Sequence, residues 1–145
     1  MNGRVHLEQP SARREREFLE GVQRSRALHR GFVVPPATPQ EYRQYLRRSR
    51  RDTQESFFVI APDNALAGVI NINDIVRYAE QSARLGYYAF APLAGNGLMF
   101  AGLSLVVRVA FRELGLHRLE ANIQRNNTRS IALVEGLGFR REGTA

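Results

Sequence analysis

The chain has 145 residues, no cysteine and a formal net charge of +7. The length fits a single domain, 1–145, with a sizeable core, and the lack of cysteine excludes a disulfide framework and a thiolate nucleophile. No apolar run reaches membrane-spanning length, no signal-peptide core is evident, and the three histidines lack metal-ligand spacing. We therefore expect a cytoplasmic protein with no membrane contact and no metal.

The positive charge comes from arginine alone and is concentrated in residues 1–56. A basic surface of this kind can bind RNA, a ribosome or an anionic cofactor. Because no nucleic-acid-binding motif accompanies the charge, we favour a solvated helix surface and expect no direct nucleic-acid binding. An RNA-associated basic module stays open as an alternative.

Hydrophobic periodicity and turn residues predict a mixture of helices and strands. In chain order, we predict a strand at 4–7, helices at 12–28 and 38–51, strands at 56–61 and 67–72, a polar connection at 73–83, a strand at 84–90, a helix at 98–114, a strand at 119–123 and a helix at 127–137. Thr38, Pro39 and Glu41 form a capping box at the start of the second helix.

The connections between these elements predict the topology. The turn at 62–64 joins an antiparallel hairpin, whereas the strand–helix–strand passage from 84 to 123 predicts a parallel pair. The fold is therefore predicted to be α+β, with a mixed, mostly antiparallel central sheet, helices on both faces and one splayed parallel strand pair. Such a pair leaves a cleft for ligands at its carboxyl ends.

The stretch 89–100 organises the chain, because it combines a strand end, a glycine-bearing loop and a helix start. Gly95 and Gly97 precede helix N–H groups that lack helical partners and point outward with the positive end of the helix dipole. Glycine also lets a ligand approach the backbone closely, so we predict a phosphate or pyrophosphate site. The pattern is neither a P-loop nor a GxGxxG fingerprint, and a tight turn that binds nothing explains it equally well locally.

Five motifs in one order resemble the Gcn5-related N-acetyltransferase (GNAT) superfamily, and within it most closely the ribosomal-protein alanine N-acetyltransferases. The motifs are Tyr87-Tyr88, Gly-Asn-Gly-Leu-Met at 95–99, His-Arg-Leu-Glu-Ala-Asn at 117–122, Asn-Thr-Arg-Ser at 127–130 and Gly-Leu-Gly-Phe-Arg-Arg-Glu-Gly at 136–143. The segment His-Arg-Gly-Phe-Val at 29–33, with the prolines that follow it, is also similar to the N-terminal region of that subgroup.

The resemblance implies an enzyme that transfers the acetyl group of acetyl-CoA to a primary amine by direct attack. It implies that the strand end pairs with the pantetheine arm and that the loop and helix start hold the pyrophosphate through backbone N–H groups. The cofactor-binding residues it implies are Ala89, Phe90, Ala94, Gly95, Asn96, Gly97, Leu98, Met99, Asn127 and Ser130.

Two candidate catalytic residues follow. Ser130 can give the departing thiolate a hydrogen bond or proton, and Glu120 can deprotonate the acceptor ammonium directly or through water. Each of these residues also has a purely structural interpretation. Asn127 and Ser130 are common helix-start residues, and Glu120 suits a surface salt bridge.

Three features depart from the family pattern. Ala94 stands where family loops usually begin with Gln or Arg, and Asn96 stands where a basic residue is frequent, so both positions lose side-chain help for the pyrophosphate. Family members also continue through a C-terminal strand pair, whereas this sequence stops at Ala145. The domain 1–145 is therefore expected to be truncated at its C-terminus, to be degenerate, or to have the sheet edge at 117–124 covered by a partner, most simply in a homodimer.

The leading hypothesis is an acetyl-CoA-dependent N-acetyltransferase whose acceptor is a protein N-terminal amine, as in the ribosomal-protein enzymes. A small-molecule amine is the alternative acceptor. A non-catalytic acyl-CoA-binding remnant is a further alternative, motivated by Ala94 and the stop at Ala145.

Overall fold

The fold is built on one five-stranded sheet. The computed structural model describes residues 4–77, 81–94 and 97–121. The strands are β1 (His6–Glu8), β2 (Glu55–Ile60), β3 (Leu66–Val76), β4 (Ser82–Ala89) and β5 (Arg118–Ala121), and they lie in this order across the sheet. Strands β1 to β4 pair antiparallel, and β5 pairs with β4 in parallel. This confirms the predicted mixed sheet with one parallel pair.

Within the described residues, the parallel pairing with β5 covers the first half of β4. The described register runs from Ser82 opposite Arg118 to Leu85 opposite Ala121. The carboxyl half of β4 therefore extends past the last described pair, next to the start of the following helix. This is the position at which ligands enter such sheets.

The helices are α1 (Glu15–Arg24), α2 (Arg26–His29), α3 (Pro39–Arg48) and α4 (Leu98–Arg108), with a 3-10 turn at Ala12–Arg14 and a π-helical turn at Val109–Glu113. The predicted N-cap of α3 forms, because Thr38 Oγ1 accepts the Glu41 N–H at 3.1 Å. The reciprocal bond of Glu41 Oε1 goes to the Ala37 N–H at 2.8 Å, one residue before the N-cap N–H that a capping box uses.

The helix predicted at 12–28 differs from the structure, which breaks it into pieces. The last break lies at Ser25, where φ is −104° and ψ is 11°. Serine hydroxyls bond readily to backbone groups and so compete with regular helix. Helix α3 also ends at Arg48 rather than near Arg51.

The polar connection predicted at 73–83 is largely wrong, because β3 continues to Val76 and β4 already begins at Ser82. Ile75 is buried, and its N–H donates to Thr53 C=O at 3.0 Å. A register shift between Asn73 and Val76 and a left-handed Asp74 (φ 52°) interrupt the ladder there. The irregular backbone explains why strict alternation of polar and apolar residues fails over this stretch.

Two apolar clusters sandwich the sheet, as expected for helices on both faces. One cluster packs α4 against the sheet through Val59, Ile70, Leu103 and Val106. The other packs α1 and α3 against the opposite face through Phe18, Tyr42, Phe58 and Phe90. Helix α4 packs closely on the sheet, since a Cβ on Gly102 would lie 2.7 Å from Val59 Cγ2.

The helix predicted at 127–137 and the extended segment after it lie outside the described residues. Among the residues that are described, no helix is both long and apolar enough to cross a membrane.

Candidate acetyl-CoA site

The candidate site lies where β4 ends and α4 begins. After Ala89 the chain passes through Phe90 and a cis peptide bond between Ala91 and Pro92. A turn follows, closed by the Leu93 N–H donating to Phe90 C=O at 2.9 Å. The half-buried Ala94 ends this described part of the loop.

Helix α4 opens at Gly97, which has a left-handed backbone (φ 87°) and serves as the N-cap. Apart from its chain neighbours, a Cβ built at this position would meet no atom of the described residues within 4 Å, so that part of the structure leaves the space beside the Gly97 backbone open. The Ala101 N–H bonds to Gly97 C=O at 3.1 Å. The N–H groups of Met99 and Phe100 precede it, in the first turn, where a helix supplies no carbonyl of its own. Glycine at position 97 therefore suits the left-handed backbone and also leaves the N–H groups of the first helical turn accessible to a ligand.

Met99 could contact a ligand only through its backbone. Its side chain is buried in the α4-side cluster, where it packs against Gly68. Leu98 also packs against that cluster and is only partly buried. The structure therefore assigns both side chains to the core and leaves the helix terminus itself as the possible anion site.

The backbone groups of Phe90 are already used within the protein. Its N–H donates to Ala67 C=O at 2.9 Å, and its C=O accepts from Leu93. Its side chain is buried against α1, where a Cβ on Gly21 would lie 3.1 Å from the ring. The expectation that Phe90 binds the pantetheine arm stays a prediction, but these contacts leave little of Phe90 to do so.

Ala89 is placed differently. Because Phe90 and Ala67 form a hydrogen-bonded antiparallel pair, the neighbouring pair of Ala89 and Gly68 is non-hydrogen-bonded. Both backbone groups of Ala89 therefore point away from β3, towards the side on which β5 lies. The C=O accepts from His29 Nε2 at 2.7 Å. The N–H points to the same side, beyond the last described pair with β5.

Three residues at the junction of α1 and α2 contact this end of β4, and the sequence did not point to them. Ser25 Oγ accepts the Ala91 N–H at 2.9 Å and donates to Gly21 C=O at 2.6 Å. Arg24 Nε donates to Ala91 C=O at 3.0 Å. We call Arg24, Ser25 and His29 the α1–α2 corner. A serine and a histidine at the end of a helix carry no pattern from which these contacts could be read.

Tyr87 and Tyr88 face opposite sides of the sheet, as alternation predicts. Tyr88 is buried between α1 and α3, and this burial raises the pKa of its phenol well above the ordinary value. Tyr88 thus stays protonated and belongs to the core. Tyr87 is partly buried against the α4-side cluster.

Glu120 is not brought next to the end of β4. It lies on β5 opposite Arg84, five residues before Ala89. At about 3.3 Å per residue this is roughly 16 Å along the strand. Its carboxylate is about half exposed and forms an ion pair with Arg118 Nε at 3.0 Å. The structure thus supplies the surface salt bridge, and a role as a base stays a prediction.

Four predicted site residues lie outside the described part of the chain. They are Gly95, Asn96, Asn127 and Ser130.

The chain matches the model of the acetyltransferase (GNAT) domain over residues 4–140 and belongs to this family. The Bacillus subtilis (strain 168) protein named "Probable N-acetyltransferase YjcK" is 37% identical over 103 residues, which are 70% of this chain and 57% of YjcK. The [ribosomal protein uS5]-alanine N-acetyltransferase of Escherichia coli (strain K12) is 37% identical over 90 residues, which are 61% of this chain and 46% of that enzyme. The chain thus spans about half the length of the curated relatives it matches.

Solved structures share the fold. RimJ of Mycobacterium smegmatis, in complex with CoA-disulfide, superposes with a TM-score of 0.87 at 22% identity, covering 96% of this chain and 71% of RimJ. Spermidine N-acetyltransferase of Vibrio cholerae, in complex with CoA and spermine, superposes with a TM-score of 0.84 at 19% identity, covering 98% of this chain and 84% of that chain. The predicted resemblance to GNAT enzymes, including ribosomal-protein acetyltransferases, is confirmed.

Proposed function

We propose that this chain transfers the acetyl group of acetyl-CoA to the nitrogen of a primary amine. The observation that carries the proposal is the presence of two sets of backbone donors where β4 ends and α4 begins. The first is the Ala89 N–H, which points away from β3 beyond the last described pair with β5. The second is the N-terminus of α4, opened by Gly97.

These donors suit the chemistry of a coenzyme A thioester. Its extended arm carries carbonyl oxygens, which accept from a strand N–H, and its pyrophosphate carries negative charge, which a helix N-terminus favours. The open space at Gly97 admits a phosphate to the backbone, whereas any side chain would occupy that space. Because the donors are backbone groups, the alanine at position 94 does not remove them.

The thioester supplies an activated acetyl group, so the protein needs no nucleophile of its own. The acceptor nitrogen forms the new bond to the acetyl carbon, the carbon–sulfur bond breaks, the nitrogen loses a proton and the sulfur gains one. We propose that Ser130 donates a hydrogen bond to the departing sulfur. Glu120 lies roughly 16 Å along the sheet from Ala89, and we propose that it removes the ammonium proton directly or through water.

We further propose a protein N-terminal amine as the acceptor. This is supported by the 37% identity with the uS5-alanine N-acetyltransferase of Escherichia coli. A polyamine is the second candidate, because the spermidine N-acetyltransferase of Vibrio cholerae has the same fold. Identity at that level supports the fold alone, so we rank the protein N-terminus first.

A transfer assay with a matched acceptor panel tests the proposal. The purified protein is incubated with acetyl-CoA and one of three acceptors: a peptide with a free N-terminal alanine, the same peptide already acetylated at its N-terminus, or spermidine. Thiol release and acceptor mass are measured together. We expect thiol release and one added acetyl group with the free peptide only.

The other results are equally informative. Transfer to spermidine alone would replace the protein acceptor with the small amine. Saturable binding of acetyl-CoA without transfer to either amine would identify a non-catalytic acyl-CoA-binding domain. A folded protein that binds no acetyl-CoA would refute the proposed function altogether.

A further inference from the structure

We propose that the α1–α2 corner positions the end of β4, so that the Ala89 N–H is directed at a carbonyl oxygen of the acyl-CoA arm. The inference rests on the proposed function and concerns residues that would not themselves contact the reacting atoms. Ser25 and His29 are the positioning residues, and the group they position is the Ala89 N–H.

The backbone groups of Ala89 decide which hydrogen bonds the end of β4 can form with a ligand. In an extended strand the N–H and C=O of one residue point to the same side. For Ala89 that side faces away from β3, so a ligand lying along the strand would meet both groups. The C=O accepts from His29 Nε2 at 2.7 Å, which ties the strand end to α2 and uses one of its two lone pairs. The N–H is a donor, which recognises a carbonyl oxygen.

The imidazole of His29 is a hydrogen-bond donor to the Ala89 carbonyl. Since a carbonyl can only accept, Nε2 carries the proton. His29 is only 6% exposed, and Nδ1 has no hydrogen-bond partner in the described part of the chain. Tyr88 packs against the ring edge-to-face, with centroids 5.5 Å apart, which fixes its plane. Among the described residues, the Ala89 carbonyl is thus the one polar partner of the buried imidazole.

Ser25 holds Ala91, two residues after Ala89. Its hydroxyl is fully buried, and it accepts from Ala91 while donating to Gly21 within α1. The exposed Arg24 adds a second bond to the Ala91 peptide at its C=O. Ala89 and Ala91 are therefore tied to the same two helices on either side of the buried Phe90. A displacement of α1 and α2 would be transmitted to the strand end that the cofactor is proposed to use.

The carbonyl oxygen that Ala89 recognises could belong to an amide of the pantetheine arm or to the thioester. These sources differ in a measurable way, because CoA has the amides and lacks the thioester. Loss of affinity for both acetyl-CoA and CoA would indicate an arm amide. Loss of turnover or of acetyl-CoA affinity alone would indicate the thioester.

The test compares four variants of the full chain. Ser25→Ala and His29→Phe remove the hydrogen bonds, and His29→Gln keeps an N–H donor near the position of Nε2. Ser49→Ala is the matched control, because Ser49 Oγ also donates to a backbone carbonyl, that of Leu46, at 2.7 Å, but lies in the turn after α3. Affinities are measured by calorimetry, kinetics by thiol release, and melting temperatures by circular dichroism.

We expect Ser25→Ala and His29→Phe to weaken acetyl-CoA binding or turnover about tenfold, which corresponds to one misaligned neutral hydrogen bond. His29→Gln should recover most of the loss, and Ser49→Ala should behave as wild type in both measurements. Equal losses in His29→Phe and His29→Gln, or losses that merely follow melting temperature across all four variants, would overturn the positioning role. A wild-type protein that binds no acetyl-CoA would overturn the proposed function as well, whereas normal binding and turnover in every variant would overturn only the role of the corner.

Discussion

The substitution Gly97→Ala separates a ligand-binding role of the glycine from a role in folding. Gly97 has a φ of 87°, and a Cβ added to it would touch no atom within 4 Å among the described residues beyond its chain neighbours. The cost to stability is then the strain of a left-handed alanine, about 1–2 kcal/mol. For a domain of this size we expect the melting temperature to fall by roughly 2–8 °C.

The cost to cofactor binding should be larger. A methyl group at this position occupies the space through which a phosphate would reach the backbone N–H groups. Loss of one hydrogen bond to a charged oxygen costs about 1.5–3 kcal/mol, so we expect the Kd for acetyl-CoA to rise roughly tenfold to a hundredfold. Titration calorimetry at a temperature well below both melting points measures it.

The chain contains a matched control for this experiment. Gly115 is also left-handed (φ 69°), and a Cβ there would likewise meet nothing within 4 Å in the described part of the chain beyond its neighbours. It lies beyond the carboxyl end of α4. Gly115→Ala should lower the melting temperature by a similar amount and leave the Kd unchanged. Equal effects of the two substitutions on binding, or an unchanged Kd in Gly97→Ala, would refute a phosphate site at the start of α4.

Three other measurements test packing, electrostatics and chemistry. Gly102→Ala should lower the free energy of unfolding by about 1–3 kcal/mol in denaturant titration, because the added Cβ would lie 2.7 Å from Val59. Adding Val59→Ala should recover part of this loss. A Gly102→Ala variant that is more stable than wild type would contradict the close packing. The hydrogen bond from Arg14 lowers the pKa of Glu8, so the carboxylate stabilises the fold above its unfolded-state pKa near 4, and this contribution is lost as the pH falls through the folded-state pKa. The melting-temperature difference between wild type and Glu8→Gln should therefore be full at pH 7 and shrink in acid, and a difference independent of pH would contradict this assignment. Ser130→Ala should lower kcat with little change in the Kd for acetyl-CoA, and unchanged turnover would reduce Ser130 to a helix-start residue.

Local sequence signals predicted much of the fold. Thr38 caps α3, and the turn after β2 closes the expected hairpin with β3. The helix that separates β4 from β5 correctly implied a parallel pair. Each of these features depends on residues close together in the chain or on the handedness of a crossover, which sequence patterns encode directly.

The parts of the site that could not be predicted depend on distant contacts. Ala89 meets His29 across 60 residues of sequence, and Ala91 meets Ser25 across 66. Nothing in the local pattern of either segment specifies its partner. The extension of β3 was missed for a related reason, because Ile75 is buried against a backbone that is too irregular to show alternation.

The central claim is that the end of β4 and the start of α4 bind acetyl-CoA. Titration of the ¹⁵N-labelled protein with acetyl-CoA, followed by amide NMR, tests this claim residue by residue. We predict saturable shifts that are largest for the amides of Ala89, Gly97 and Met99, with Gly115 unaffected. A folded protein whose amides do not shift, or shift mainly at positions away from β4 and α4, would contradict the account.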